Sequence, residues 1–376
     1  MKNLNLHIVS FNVPYPPNCG GLIDVFYKIK SLNNYGVQVH LHCFECGKKK
    51  QPELEKICAR VFYYKGNKGL FKTMNKLPYL VKMRSDSELL NNLITDDYPI
   101  LFEGLHTTFF LDSPQLKNRI KIVRPHNIEH NYYNILAQQE KKIARRFFYR
   151  NTAKKFENYE PVLVNATTIA TISPNDLKYF SNQYNNAFWL PPFHSNTEMN
   201  VLFGSGTYAL FHGNLSVKEN VKAALFLINA FNESENIKII LAGNSPAEEI
   251  VKQCEKTSHI KLISNPTELE MQKLITEAHV QLLPSFQPTG LKLKLINSLF
   301  RGRHCLANDI MVSGTGLENL CHKANTSVEF VAKTRKLMAL PFESNDLILR
   351  KEILSKKFDN HRNVELLVSK IFGNRQ

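Results

Sequence analysis

The chain has 376 residues, of which 43% are hydrophobic and 22% are charged. This length predicts two domains rather than one. The composition is that of an ordinary globular protein, which excludes a mainly disordered chain and a collagen-like fibre. A chain of this size can bury large cores without disulfides or a structural metal. No run approaches the roughly 18 apolar residues that span a bilayer, which excludes a polytopic membrane protein.

The charge is strongly basic and unevenly distributed. Lys and Arg number 48 against 33 Asp and Glu, a net charge of +15. Residues 1–190 hold 26 basic and 15 acidic residues, a net charge of +11, and residues 191–376 carry the remaining +4. Such a field favours phosphorylated substrates or an anionic membrane surface, or serves solubility alone. Without a zinc finger, an RNA-binding signature or a basic heptad region, no nucleic-acid partner is expected.

The cysteines indicate a reducing compartment. Of seven cysteines, only Cys43 and Cys46 form a C-x-x-C, and no second pair completes a zinc ribbon. They are read as buried or idle thiols at a strand end. The sequence after Met1 has no long apolar signal core. The expected location is therefore cytoplasmic, either free or peripheral at the inner face of the membrane.

Short apolar strands alternate with amphipathic helices along the chain, a pattern typical of parallel α/β sheets. In the first half, strands are predicted at 4–11, 37–44, 98–103, 120–125 and 167–173, with helices at 22–36, roughly 129–160 and 173–180. The second half gives strands at 207–213, 237–243, 260–264, 279–285 and 303–309, with helices at 217–231, 246–254, 267–278, 291–302 and within 345–373. A Pro-, Asn-, Ser- and Gly-rich break at 189–206 separates the two series. We predict an N-terminal domain (1–190), a linker (191–206), a C-terminal domain (207–358) and a final helix (359–376).

Loops after strands are where ligands bind in such sheets. The first, residues 16–21, ends in Gly20 and Gly21 and opens a helix, so its amides could face an anion; a tight turn is the alternative. No Walker motif is present, residues 204–206 precede a strand, and residues 314–316 lack the third glycine of a Rossmann fingerprint. A P-loop enzyme and a Rossmann dehydrogenase are thus poorly supported.

Two lysines stand at the start of the helix predicted at 291–302. Lys292 and Lys294 oppose the helix dipole there, which costs a few tenths of a kcal/mol. A bound diphosphate would reverse that sign, because both lysines and the helix amides could contact it. The alternative is that these lysines merely face solvent.

Five stretches in order resemble the GT-B glycosyltransferases of the large retaining family 4, in a bacterial glycan-assembly, mannosyltransferase-like subgroup. They are SFNVPYPPNCGG, ILFEGLH, RPHNIEHNYY, LFHGNLSVKENVKAALFLI and PTGLKLKLINSLFRGRHCLANDIMVSGTGLE. The resemblance covers almost the whole chain. It implies two Rossmann-like doubly wound domains facing across a cleft, with the donor on the second, the acceptor on the first, and the C-terminal helix crossing back.

The resemblance also implies the reaction. A hexose moves with retention from a UDP- or GDP-linked sugar to a growing glycan or a lipid-linked acceptor, without a bound metal or a cofactor. The donor site would include Gly20, Gly21, Gly213, Lys292, Lys294 and the residues Gly314, Thr315 and Gly316. Two positions depart from the family pattern: Asn214 stands where many members have Arg, and Asn297 replaces a ribose-binding Glu. Gln287 lies near the place of another missing glutamate.

Two strand-end residues are candidates for the chemistry. His126 resembles the family histidine that reaches the donor sugar, although a lone His here is otherwise structural. Glu103 could orient the acceptor hydroxyl or cap a turn. The family is thought to use front-face attack, in which a donor phosphate oxygen takes the acceptor proton, so no strong base is required. A metal held by His126, Glu129 and His130 is a minor alternative, because the spacing is not H-E-x-x-H.

The stretch 141–155 mixes cations with aromatic residues. It predicts either contact with an anionic membrane or a solvated helix whose Phe residues pack inward. Three functions follow from the whole sequence: a retaining glycosyltransferase, a non-catalytic GT-B-like nucleotide-sugar-binding subunit, and a GT-B enzyme of another type, such as an epimerase.

Overall fold

The computed structural model describes residues 4–66, 76–234, 236–290 and 292–373. The chain divides into two compact units. Unit 1 comprises Met1–Ser195, Thr289–Leu291 and Asn360–Gln376, and unit 2 comprises Asn196–Pro288 and Lys292–Asp359.

Each unit is built on one parallel sheet, of seven strands in unit 1 and six in unit 2. The strands of unit 1 are β1 (Leu4–Ser10), β2 (Val37–Phe44), β3 (Arg60–Tyr64), β4 (Ile100–Glu103), β5 (Lys121–Arg124), β6 (Thr168–Thr171) and β7 (Ala187–Trp189). Those of unit 2 are β8 (Ala209–His212), β9 (Ile239–Gly243), β10 (Ile260–Ser264), β11 (Val280–Leu283), β12 (His304–Ala307) and β13 (His322–Lys323). The orders are β3-β2-β1-β4-β5-β6-β7 and β10-β9-β8-β11-β12-β13. Strand order therefore reverses between β1 and β4 and between β8 and β11, the places where doubly wound sheets bind ligands.

Helices connect the strands in both units. They are α1 (Gly20–Asn34), α2 (Pro52–Glu55), α3 (Tyr79–Lys82), α4 (Ser87–Leu93), α5 (Glu129–Gln139), α6 (Ile143–Tyr159), α7 (Pro174–Gln183), α8 (Lys218–Phe231), α9 (Glu248–Cys254), α10 (Glu268–Glu277), α11 (Leu293–Arg301), α12 (Asp309–Val312), α13 (Ser327–Met338), α14 (Ser344–Lys357) and α15 (Asn360–Phe372). Four short 3-10 segments lie at Leu105–Phe110, Pro114–Leu116, Glu160–Asn165 and Glu318–Leu320.

The core of unit 1 includes the last helix of the chain. Central strands such as β1 and β4 are almost wholly buried, as expected for parallel strands covered on both faces. On one face, α15 packs Val364 and Leu367 into the same cluster as Val25 and Ile29 of α1. The helix predicted at 359–376 thus completes the N-terminal unit.

Unit 2 repeats this layering. Phe211 and Leu241 of the sheet pack with Leu227 of α8 and with α13 on one face. Leu210 and Ile240 pack with Ile275 of α10 on the other. Successive residues along each strand therefore face opposite helix layers. Because both faces of the sheet are covered, the strands are continuous apolar runs in the sequence.

Most predicted elements are observed, with one corrected helix, three additional strands and five additional helices, α2, α3, α4, α12 and α13. The helix predicted over 129–160 is two helices, because Glu140 adopts an extended backbone and its carboxylate accepts the Lys142 N–H at 3.2 Å. The strands β3, β7 and β13 were missed; all three are short edge strands whose residues are mostly half buried or exposed.

The predicted inward packing of the basic-aromatic helix is also corrected in part. Phe147 and Phe148 of α6 are 72% and 55% exposed, whereas Phe156 is buried. None of the helices described is both long and apolar enough to cross a membrane.

Candidate active site

A buried group of charges lies at the carboxyl edge of the sheet in unit 1. Asp24 and Lys28 come from α1, Glu103 ends β4 and Arg124 ends β5, and all four are 0% exposed. The strand order β1-β4-β5 places these elements side by side. Two positive and two negative charges make the group neutral as a set, which is the condition for burying ions.

Lys28 and Arg124 hold the two carboxylates. The Lys28 Nζ donates to Glu103 Oε1 at 2.5 Å and to Asp24 Oδ2 at 3.0 Å. The Arg124 guanidinium binds both oxygens of Asp24, at 2.7 and 3.0 Å. Asp24 Oδ1 also accepts the Phe193 N–H at 2.8 Å, which ties α1 to the end of unit 1.

The charges set the ionisation of this group. Burial by itself would raise the pKa of Asp24, but Arg124 and Lys28 outweigh it and lower that pKa. Burial likewise opposes ionisation of Glu103, and Lys28 and His126 together lower its pKa. Burial lowers the pKa of Lys28, and the two carboxylates partly compensate. Both acids are therefore carboxylates at neutral pH.

His126 stands next to this group and is only 8% exposed. Its Nε2 lies 2.9 Å from Glu103 Oε2, so both oxygens of Glu103 are already engaged. A Cβ added at Gly21 would come within 2.8 Å of the His126 Nδ1 and 2.9 Å of Phe11. Gly21 is thus required for α1 to approach the histidine closely, and Glu103 orients the ring.

The structure brings a different set of potential metal ligands together from the one considered in the sequence. One ligand atom from each of Asp24, Glu103 and His126 lies within 4.8 Å of the others. Their oxygens already bind Lys28 and Arg124, whose charges would repel a divalent cation, so the donor set does not fit a metal.

The alternative set of His126, Glu129 and His130 does not come together. Glu129 faces His106 at 3.4 Å, while His130 faces Glu160 at 3.4 Å. These separate pairs correct the metal reading considered from the sequence.

Unused hydrogen-bonding atoms lie on the segments that follow β4 and β5. Among the described residues, His106 Nε2, Asn127 Oδ1 and Glu129 Oε1 are buried without a hydrogen-bond partner. Buried polar atoms are normally paired, so such atoms suit a ligand rich in hydroxyl groups.

In unit 2, a lysine lies against the turn that follows β8. The Lys294 Nζ donates to Asn220 Oδ1 at 2.8 Å and lies 4.2 Å from the centre of the Phe211 ring. A Cβ on Gly213 would come within 3.1 Å of that Nζ, and Gly213 has a φ of +154°. Only glycine allows this close approach, so Gly213 and Lys294 form one wall of a site.

A second lysine stands at the start of α11. Lys292 is its N-cap residue, and its Nζ donates to Gln287 O at 2.6 Å and lies 3.5 Å from Ser285 Oγ. Ser285 Oγ donates in turn to Glu219 Oε1 at 3.0 Å. One carboxylate, Glu219, thus serves two neighbouring lysines.

Burial disfavours the charged form of both lysines and lowers the pKa of each. It lowers the pKa of Lys294 to about 8; Glu219 opposes this fall and Lys292 adds to it. Burial also lowers the pKa of Lys292, again against the effect of Glu219. His212, buried beside Lys294, has its pKa lowered to about 3 and is neutral. An anion placed beside the two lysines would therefore add negative charge next to two buried ammonium groups that share Glu219 as a nearby carboxylate.

The other donor residues predicted from the sequence make mainly local contacts. Asn214 Oδ1 accepts the Ser216 N–H at 3.0 Å, within its own turn. Asn297 Oδ1 accepts from the Asn196 amide at 2.8 Å. In the loop after α12, the Gly314 N–H donates to Glu318 Oε1 at 2.8 Å. The Thr315 Oγ1 donates to the Val312 carbonyl at 2.6 Å, and Gly316 has a φ of +75°.

Several residues in these groups escaped the sequence analysis. In unit 1 they are Asp24, Lys28 and Arg124, and in unit 2 they are Glu219, Asn220 and Ser285. One signal was available: Asp24 and Lys28 interrupt the apolar face of α1 four residues apart, which places both on its buried side.

Comparison with known sequences gives one distant relative and no family. No protein-family model matches the chain. A Klebsiella pneumoniae protein described as an uncharacterized 44.6 kDa protein in cps region is 26% identical over 331 residues, covering 82% of this chain and 84% of the relative.

Solved structures resemble the whole chain. Staphylococcus aureus TarM, a mutant bound to fondaparinux, alpha-GlcNAc-glycerol and UDP, has a TM-score of 0.68 at 12% identity and covers 99% of this chain and 100% of its own. Anabaena HepE, bound to UDP and glucose, has a TM-score of 0.65 at 12% identity, covering 98% and 100%. WaaG, a glycosyltransferase involved in lipopolysaccharide biosynthesis, has a TM-score of 0.62 at 12% identity, also covering 98% and 100%. These likenesses confirm the two-domain, Rossmann-like GT-B fold predicted from the sequence.

Proposed function

We propose that the chain is a retaining, metal-independent glycosyltransferase of family 4 that transfers a hexose from a nucleotide-diphosphate sugar. The observation that carries this proposal is the pairing of Lys292 and Lys294 around Ser285 and Gly213, with Glu219 as their shared counter-charge. The two lysines lie at the switch point of the unit 2 sheet, between the ends of β8 and β11. That is where such folds bind nucleotides.

The lysines would stabilise the negative charge that develops during the reaction. When the glycosidic bond to the donor breaks, negative charge develops on the leaving diphosphate. Preorganised cations in a buried site stabilise that charge more strongly than water would. Lys294 has a pKa of about 8, so it is mostly protonated at neutral pH, and a bound diphosphate would hold its proton more firmly.

In unit 1 we assign the donor sugar and acceptor to the region of His126. Glu103 and Lys28 are positioning residues, because they hold the His126 ring but are themselves fully buried. Asn127 Oδ1 and Glu129 Oε1, which lack a hydrogen-bond partner, would receive sugar hydroxyls, beside the His106 ring that faces the other oxygen of Glu129. A donor phosphate oxygen takes the acceptor proton, so no further base is assigned.

Relatives support the substrate class. TarM and HepE were crystallised with UDP, and WaaG is named for lipopolysaccharide biosynthesis. We therefore propose UDP- or GDP-linked hexose as donor, with mannose suggested by the sequence resemblance. The acceptor would be a growing cell-surface glycan or a lipid-linked intermediate.

The exposed face of α6 supports the proposal that the protein acts at a membrane surface. Ile143, Phe147 and Phe148 are 82%, 72% and 55% exposed, and exposed cations lie among them in the same helix. Apolar side chains flanked by cations match an anionic lipid surface. We propose that this face, Ile143–Phe148, contacts the membrane that holds the acceptor.

The function is tested with purified protein and a panel of UDP- and GDP-sugars. Calorimetry measures nucleotide binding, and nucleotide release in the presence of lipid-linked or glycan acceptors measures transfer. We expect Lys292→Ala to weaken UDP or GDP binding about tenfold or more. Transfer should persist in excess chelator, and the product anomer should match that of the donor. Absence of nucleotide binding, or unchanged affinity in Lys292→Ala, would contradict the proposal.

A non-catalytic nucleotide-sugar-binding subunit is the second candidate. Asn214 and Asn297, which replace charged family residues, are occupied by Ser216 and Asn196 rather than free for a ligand. This candidate predicts normal nucleotide binding without release of nucleotide from any donor, until a partner protein is added.

A further inference from the structure

A second basic feature lies in unit 1, away from the residues assigned to the reaction. It is a cavity of about 950 Å³, hereafter the lysine cavity, lined by Lys48, Lys49, Lys50 and Lys65, with Glu45 as the one acidic residue among the described residues of its lining. No part of the function proposed above uses these side chains.

The lysine cavity occupies the ligand-binding edge of the sheet. Residues 45–50 directly follow β2, and Lys65 directly follows β3. The two strands pair up to Phe44 and Tyr64, and the Glu45 N–H extends the pairing to Tyr64 O at 2.8 Å. The cavity therefore opens at the carboxyl ends of parallel strands, on the same edge as Glu103 and His126.

Lys48 shapes the cavity, and Lys50 Nζ lies 5.7 Å from the centre of the Tyr63 ring. The Lys48 Nζ lies 3.2 Å from Val13 O and 3.1 Å from Pro16 O, and so ties the loop before α1 to the cavity wall. Lys49, Lys50 and Lys65 are exposed, and none forms an ion pair with any carboxylate of the described residues.

The charge balance points to a polyvalent anion. Four ammonium groups surround the cavity against one carboxylate, so they repel one another and attract counter-ions. A carboxylate ligand would bring a single negative charge, whereas a phosphate group brings about −1.5 to −2 and three strong acceptor oxygens. Lysines bind phosphate well as point charges.

We propose that the lysine cavity binds the phosphate or diphosphate group of the acceptor. This inference rests on the function proposed above and names the acceptor class: a phosphate-bearing molecule. Adjacent strands are about 4.8 Å apart, so β2 lies about 10 Å from β4 and β3 about 20 Å from β5. The anchored phosphate would thus be separated from the Glu103 and His126 region by a span that sugar units can fill.

The experiment measures binding of inorganic pyrophosphate to the full chain by calorimetry, with saturating UDP present to occupy the donor site. The cavity variant is Lys49→Gln/Lys50→Gln/Lys65→Gln. The matched control, Lys30→Gln/Lys117→Gln/Lys178→Gln, removes the same charge from exposed lysines elsewhere in unit 1. Because all six side chains are exposed, both variants should fold, and their melting temperatures verify this.

We expect the cavity variant to bind pyrophosphate at least about tenfold more weakly than the wild type, while the control stays within about twofold. UDP affinity should be the same in all three proteins. Equal pyrophosphate affinity in the cavity variant and the control overturns the inference. Failure of both UDP and GDP to bind the wild type instead overturns the donor function, so the two failures are distinct.

A parallel titration with farnesyl diphosphate separates the sources of the phosphate. Tighter binding than pyrophosphate, lost in the cavity variant, identifies a lipid-linked diphosphate. Equal binding of both probes, also lost in that variant, identifies recognition of the phosphate alone, as in a soluble glycosyl phosphate.

Discussion

Replacing Lys28 by Met tests the buried charge group of unit 1. The Lys28 Nζ lies 2.5 Å from Glu103 and 3.0 Å from Asp24. At an effective dielectric constant of about 20, the two contacts are worth about 6.6 and about 5.5 kcal/mol of attraction. The desolvation of Lys28 and its repulsion by Arg124 offset much of this. Removing the cation leaves Glu103 buried without its cationic partner and with His126 as its remaining contact, so we expect a net loss of about 3–5 kcal/mol in the free energy of unfolding.

The chain contains its own reporter for this measurement. Its single Trp is Trp189, in β7 of unit 1, so urea unfolding followed by Trp fluorescence reads this unit. Lys30→Met is the matched control, because Lys30 is exposed on the same helix. Lys28→Met/Glu103→Gln should recover about 2 kcal/mol, since both members of the pair are then neutral.

The pH dependence of the stability difference provides a second test of the Lys28–Glu103 pair. The pKa of Glu103 is lowered in the folded protein, so its pairing stabilises at pH 7 and this contribution is lost as the pH falls. The difference between wild type and Lys28→Met should therefore hold from pH 7 down to about pH 4.5, the ordinary pKa of a Glu carboxyl, and shrink below it. A loss below about 1 kcal/mol, or a double variant less stable than Lys28→Met, would refute the reasoning.

Three further predictions concern the ligand-facing residues. Lys294 is protonated below its pKa of about 8 and neutral above it. UDP affinity measured by calorimetry should therefore fall as the pH rises from 7 to 9, by up to about tenfold per pH unit. The variant Lys294→Met should lose this pH dependence. Gly21→Ala would push a Cβ to 2.8 Å from His126, so transfer rates should drop on the order of a hundredfold while UDP affinity measured in parallel stays constant. Phe147→Ser/Phe148→Ser should reduce co-sedimentation with phosphatidylglycerol vesicles at least about tenfold, because each exposed ring loses about 1.5–3 kcal/mol of burial; unchanged sedimentation would remove this face from the membrane.

Local patterns explain why so much of the fold could be predicted. Long apolar runs such as β1 and β9 are buried on both faces, and their sequence alone indicates parallel strands. The break between α5 and α6 could not be predicted, because it depends on the backbone of Glu140 and a hydrogen bond to Lys142. The edge strand β3 was missed because only one of its five residues, Tyr64, is buried.

The candidate site was predictable where its residues are neighbours in sequence. Lys292 and Lys294 follow from the helix pattern around them. Their counter-charge, Glu219, lies more than seventy residues away, and so does the Gly213 turn that Lys294 packs against. Lys28 and Glu103 are likewise distant in sequence, so their pairing arises only when α1 and β4 meet.

The position of α15 in the core of unit 1 affects how this protein is made in a cell. Its apolar side chains cover part of α1, yet they are translated some 330 residues later. During translation, the N-terminal lobe therefore keeps that surface exposed to water and to other chains until α15 has been synthesised. Only a polypeptide that has cleared the ribosome through this helix can close the lobe, so incomplete products should be captured by chaperones or degraded.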